Sequence, residues 1–144
     1  MNITEQKMIE IVQNAKTVAV EGMQDEKKMD RPAYQIPAML KERGLKIYPV
    51  NPNIQSSLGE KAYPSIKELP LRVDILDVFR RPDVIPALAD EILALPPEKR
   101  PKVIWLQTGI THPDAEAKME KAGLQVVSDA CLGVIAARVR PAPL

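Results

Sequence analysis

Five short apolar, β-branched runs alternate with segments of helical periodicity along this chain, and that alternation predicts an α/β fold. Strands joined one after another through helices require right-handed crossovers, so the sheet is expected to be mainly parallel, five- or six-stranded and covered on both faces in a three-layer sandwich. The length of 144 residues, with no long polar linker and no internal repeat, fits one domain around one core.

A leading helix is expected over 3–15, where Met8, Ile9, Ile11 and Val12 share one face and Asn2 with Glu5 suits a capping box. The core is expected over 17–131. Its first strand is Thr17–Val20, ending near Gly22. Arg31–Arg43 has helical character with Ile36, Met39 and Leu40 inward and Gly44 as the stop, although Pro37 inside it shifts the expected regular start toward Tyr34. Lys46–Val50 is the second strand, halted by Asn51-Pro52-Asn53, and a short helix is expected near Ser65–Leu69. Val73–Phe79 is the third strand and Asp83–Leu95 a helix with Val84, Ile85, Leu88, Ile92 and Leu95 inward. Lys102–Leu106 follows as a strand, Thr111–Gly123 as a helix opened by Pro113, and Gln125–Ser128 as the fifth strand. The tail, 132–144, contains Val134–Val139, which fits a sixth strand or a surface-packed segment.

Twenty basic against nineteen acidic side chains, interleaved, argue against a general nucleic-acid face. No apolar run reaches the ~18 residues of a membrane span, and the polar start lacks the pattern of a signal peptide, so a soluble cytoplasmic protein is expected. Cys131 and His112 are each the sole residue of their type. That removes an internal disulfide and a cysteine-rich metal site, and leaves Ser/His/Asp and Cys/His arrangements dependent on His112 alone. Asp74 and Asp77, three apart in a strand, face opposite ways and cannot act on one substrate.

In open α/β sheets the ligand crevice lies at the carboxyl ends of the strands. The residues following the five strands are Gly22-Met23, Asn51-Pro52, Phe79-Arg80-Arg81-Pro82, Gln107-Thr108-Gly109 and Asp129-Ala130-Cys131. Gly22 has no second or third glycine after it, so the dinucleotide fingerprint is absent, and the second strand ends in neutral Asn51 where a ribose-binding carboxylate would stand. Arg31, Arg80 and Arg81 offer permanently charged forks suited to phosphate, the alternative for Arg80-Arg81 being a solvated pair ahead of a helix. Phe79 and Trp105 are expected in the core, with adenine stacking the alternative for Phe79 at the rim. His112 suits a helix start, and Cys131 a packed thiol.

Taken in order, Val18-Ala19-Val20-Glu21-Gly22, Arg31-Pro32-Ala33-Tyr34, Pro49-Val50-Asn51-Pro52, Leu58-Gly59-Glu60, Val78-Phe79-Arg80-Arg81-Pro82, Trp105-Leu106-Gln107-Thr108-Gly109 and Asp129-Ala130-Cys131 resemble the small stand-alone CoA-binding proteins. These are similar to the CoA-binding domain of the succinyl-CoA synthetase alpha subunit. The resemblance runs from about Thr17 to Cys131 and implies a Rossmann-like fold that binds coenzyme A, or an acyl-CoA, along the strand ends. It implies contacts from Gly22, Met23, Arg31, Pro32 and Ala33 near the phosphates, and from Val50, Asn51, Pro52, Phe79, Arg80 and Arg81 around the 3′-phosphoadenosine. Gln107 and Gly109 complete the implied set. Met23 and Ala33 depart from the family pattern, which has a small residue and a serine at those places. No catalytic residue carries over, so a non-enzymatic binding protein is expected. The alternatives are an interaction module on an acyl-CoA enzyme or, less favoured, an NAD(P)-binding protein; a homo-oligomer is compatible with each.

Overall fold

A computed structural model describes residues 3–141 of the chain. In chain order the elements are α1 (Glu5–Asn14), β1 (Thr17–Glu21), α2 (Pro32–Glu42), β2 (Lys46–Val50), a hairpin of β3 (Ser56–Ser57) and β4 (Glu60–Lys61), β5 (Ile75–Val78), α3 (Ile85–Ala94), β6 (Val103–Leu106), α4 (Pro113–Lys121), β7 (Gln125–Val127) and α5 (Leu132–Val139). The five longer strands pair in parallel in the order β2-β1-β5-β6-β7. Three layers result, as expected: α1, α2 and α5 on one face of the sheet, α3 and α4 on the other.

The two apolar clusters show why. Successive residues of a strand point to opposite faces, and Val18, Val20, Ile75, Trp105 and Val127 join Val12, Leu40 and Ile135 in one cluster. Their neighbours Ala19, Leu76, Val78, Ile104 and Leu106 join Ile85, Leu88, Ile92 and Met119 in the other. The five sheet strands are mostly apolar because both faces are covered, with Glu21 in β1 and Asp77 in β5 as buried charged exceptions.

Several boundaries differ from expectation for physical reasons. Thr4 caps α1, its Oγ1 accepting from the Lys7 N–H at 3.2 Å; Asn2, the expected cap, lies outside the described residues. Among the described residues the parallel sheet gains no sixth strand. Residues 132–139 make α5, with Leu132, Ile135 and Ala136 buried at helical spacing while Val134 is exposed. Helix α2 starts at Pro32 rather than near Tyr34, because a proline at the first helical position gives up only a donor that has no partner there. The edge strand β2 tolerates Pro49 because its outer side is served by Tyr63, which donates its N–H to the Pro49 carbonyl and accepts from Asn51 N–H, each at 2.9 Å.

Candidate functional site

Chain direction across the sheet reverses between β1 and β5, since β1 leads outward to β2 on one side and β5 to β6 and β7 on the other. At such a switch point the two connections leave toward opposite faces and open a crevice at the carboxyl ends. A cleft of about 230 Å³ lies there, lined by Glu21, Gly22, Gln24, Asn51, Pro52, Asn53, Phe79 and Arg80. It is not the largest hollow, as a cavity of about 510 Å³ runs beside the edge strand β7, but that one lies away from the strand ends of the switch point.

The floor is built by close backbone approach. Gly22 has φ +86°, and a Cβ there would stand 2.3 Å from the Phe79 carbonyl oxygen. Only glycine fits. Phe79 N–H donates to Glu21 O at 2.9 Å and Gly22 N–H to Val50 O at 2.9 Å, so the exits of β1, β2 and β5 are tied together. Asn51, buried, joins two loops: its Nδ2 donates to Met23 O and its Oδ1 accepts from Asn53 N–H, both at 2.9 Å. A neutral amide does this well, because it has both a donor and an acceptor to spend.

The loop after β1 is fastened on its other flank as well. Ser57 Oγ donates to Gln24 O at 2.7 Å. Gln24 N–H donates to Ala33 O at 3.1 Å. At the hairpin tip Leu58, with φ +54°, donates its N–H to Glu26 Oε2 at 2.9 Å and accepts from Lys41 Nζ. The cleft rim is therefore held by β2, the hairpin and α2 together.

The charges are less fully satisfied. Glu21 is buried, and burial pushes its carboxyl up to about 6, opposed by the Arg80 guanidinium 3.5 Å away. Arg80 is itself partly exposed over the cleft, so an incoming anion competes with Glu21 for the same fork. One strand further along, Asp77 is wholly buried and accepts from Gln107 Nε2 at 2.5 Å, while its Oδ2 has no partner among the described residues. Burial pushes this carboxyl up to about 7, with the Gln107 hydrogen bond pulling the other way.

Of the residues singled out in the sequence, Gly22, Asn51, Pro52, Phe79 and Arg80 line the cleft. Met23, Ala33 and Val50 stand behind it with buried side chains, Met23 and Ala33 acting through their carbonyls. Arg31, Pro32 and Arg81 are exposed beyond it, and Arg81 pairs with Asp83 at 3.3 Å. Gln107 is committed to Asp77, and Gly109, with φ +82°, donates its N–H to Asp129 Oδ1 at 2.7 Å. Sequence reasoning missed Glu21, Gln24 and Asn53. Glu21 carried a signal, being the one charged residue closing an apolar strand.

A doubly wound parallel sheet with ionic and amide groups gathered at its switch point defines a Rossmann-like ligand-binding domain. More particularly, this chain belongs to the CoA-binding domain family, whose model matches residues 16–137. It is 35% identical over 133 residues to the uncharacterized protein YneT of Bacillus subtilis, covering 92% of this chain and 94% of that one. It is 29% identical over 140 residues to the alpha subunit of acetate–CoA ligase (ADP-forming) II of Pyrococcus furiosus, covering 89% of this chain but only 29% of the subunit. Among solved structures, a Thermus thermophilus protein superposes with a TM-score of 0.86 at 40% identity, covering 95% of this chain and 99% of the other.

Proposed function

We propose that this chain binds coenzyme A, or an acyl-CoA, in the β1–β5 cleft and carries out no chemistry on it. The observation that carries the reading is the Gly22 approach to Phe79 with Arg80 and Asn51 beside it, in a chain of the CoA-binding family. An anionic group of the ligand meets Arg80, and the neutral Asn51 end of β2 does not repel a phosphorylated ribose. A cleft of about 230 Å³ encloses one portion of such a ligand, and the rest crosses the exposed surface bearing Arg31 and Arg81. The absence of chemistry is supported by how the sole histidine is used. His112 Nδ1 accepts the Ala115 N–H at 3.2 Å as the cap of α4.

Calorimetric titration with CoA, acetyl-CoA, NAD and NADP tests the reading. CoA and acetyl-CoA are expected to bind and the nicotinamide cofactors to bind at least about tenfold more weakly. Arg80→Ala is expected to weaken CoA by about tenfold and Arg81→Ala by less than about threefold, since Arg81 lies outside the cleft. No heat with either CoA ligand at millimolar protein sinks the reading. The likeness to a ligase alpha subunit favours a second one, docking on an acyl-CoA enzyme. Co-purification with such an enzyme, unaffected by Arg80→Ala, would support it.

A further inference from the structure

We infer that Pro37 is a positioning residue for the cleft: by withholding a helical hydrogen bond, it hands the Ala33 carbonyl to Gln24 and so fixes the rim. The inference rests on the cleft being the ligand site, as proposed above.

Within an α-helix the carbonyl of residue 33 is normally taken by the N–H of residue 37. Here residue 37 is proline, in the interior of α2, and has no N–H to give. Such a proline costs a helix about 3 kcal/mol unless the freed carbonyl finds another donor. The donor it finds is Gln24 N–H, at 3.1 Å, from the loop that leaves β1. The ring also crowds the preceding turn, which turns that carbonyl outward from the helix and makes it available.

The consequence reaches the cleft directly. Gln24 is one of its lining residues, and its own carbonyl accepts from Ser57 Oγ at 2.7 Å. The same short segment is held one residue earlier by Asn51 Nδ2 on Met23 O. Both backbone polar groups of Gln24 are thus spent on foreign elements, one on α2 and one on the hairpin. Pro37 is buried and is not one of the residues lining the cleft, so its effect there runs through Ala33 and Gln24. A plain alanine at 37 would make a better helix and a looser rim.

Two variants test this, Pro37→Ala and Pro37→Val, the second restoring the N–H while keeping the buried volume. Both put a competing donor back on the Ala33 carbonyl. Amide hydrogen exchange of Gln24 in the unliganded protein is expected to accelerate by about fivefold to tenfold, and CoA affinity to fall by about threefold to tenfold. The melting temperature is expected to hold or rise, which a merely structural proline would not allow. Unchanged Gln24 exchange in both variants, or lowered stability with unchanged CoA affinity, would overturn the inference. A wild-type chain that takes up no CoA defeats the binding reading alone, because Gln24 exchange still decides the role of Pro37.

Discussion

The two ends of the sheet handle polar groups in opposite ways. At the amino ends of the strands the polar groups around Asp74 and Arg140 are fully engaged. Asp74 Oδ2 accepts the N–H groups of Lys16 and Thr17 at 2.7 and 3.1 Å, Thr17 Oγ1 accepts the Asp74 N–H in return, and Lys102 pairs with the other oxygen at 3.1 Å. Burial raises this carboxyl, but those donors prevail and hold it below the usual range. Beside it Arg140 gathers the carbonyls of Val12, Ala15 and Arg43, while Arg43 donates back to the Arg140 carbonyl. At the carboxyl ends Glu21 and Arg80 meet only at 3.5 Å, and Gly22 leaves no room for a side chain beside the Phe79 carbonyl. A loosely paired charge sits where a ligand is proposed, and saturation sits where only stability is at stake.

That contrast can be broken most severely at Gly22. Gly22→Ala puts a Cβ 2.3 Å from the Phe79 carbonyl in a left-handed conformation. It is expected to cost on the order of 3 kcal/mol in chemical denaturation, and to weaken CoA by more than about tenfold. Next in size, Arg140→Ala removes a fork that serves three carbonyls and is expected to cost about 2 kcal/mol while leaving CoA affinity within about twofold. An Arg140 variant that keeps its stability and loses ligand would invert the assignment of the two ends.

The smallest effect concerns pH. Glu21, with its carboxyl raised to about 6, is ionised at pH 8 and holds Arg80; below about 6 it is neutral and releases the guanidinium to an anion. CoA affinity, compared between wild type and Glu21→Gln at each pH, is therefore expected to differ by about threefold in favour of the variant at pH 8, the two converging toward pH 5. Taking the ratio cancels the titration of the ligand's own phosphate, which falls near the same pH. A ratio that stays constant across the range would show that Glu21 does not compete for Arg80.

Much of this was legible in the chain. The strand-end rule led from apolar runs to Gly22, Asn51, Phe79 and Arg80, because the topology of an α/β sheet dictates where those residues gather. It could not separate Arg80 from Arg81, since neighbouring residues leaving a strand diverge, and one faces the cleft while the other meets Asp83 in solvent. Glu21 passed unnoticed as part of a strand that is otherwise apolar. Met23 was chosen for its place after Gly22, yet its side chain belongs to the core, and only its carbonyl serves the site. Val134–Val139, which fits a strand or a surface-packed segment when cut off from Leu132, shows its helical spacing once Leu132, Ile135 and Ala136 are taken together. Pro37 was visible as an anomaly, but its partner Gln24 is brought to it only by the fold.

The ligand is proposed to enter at the carboxyl ends, between β1 and β5. A crystal of this protein soaked with CoA tests this most directly. Density is expected against Gly22, Asn51, Phe79 and Arg80, with the Arg80 guanidinium turned from Glu21 to a phosphate. Density at the opposite end of the sheet, in the cavity of about 240 Å³ lined by Lys7, Asp74 and Lys102, would contradict it.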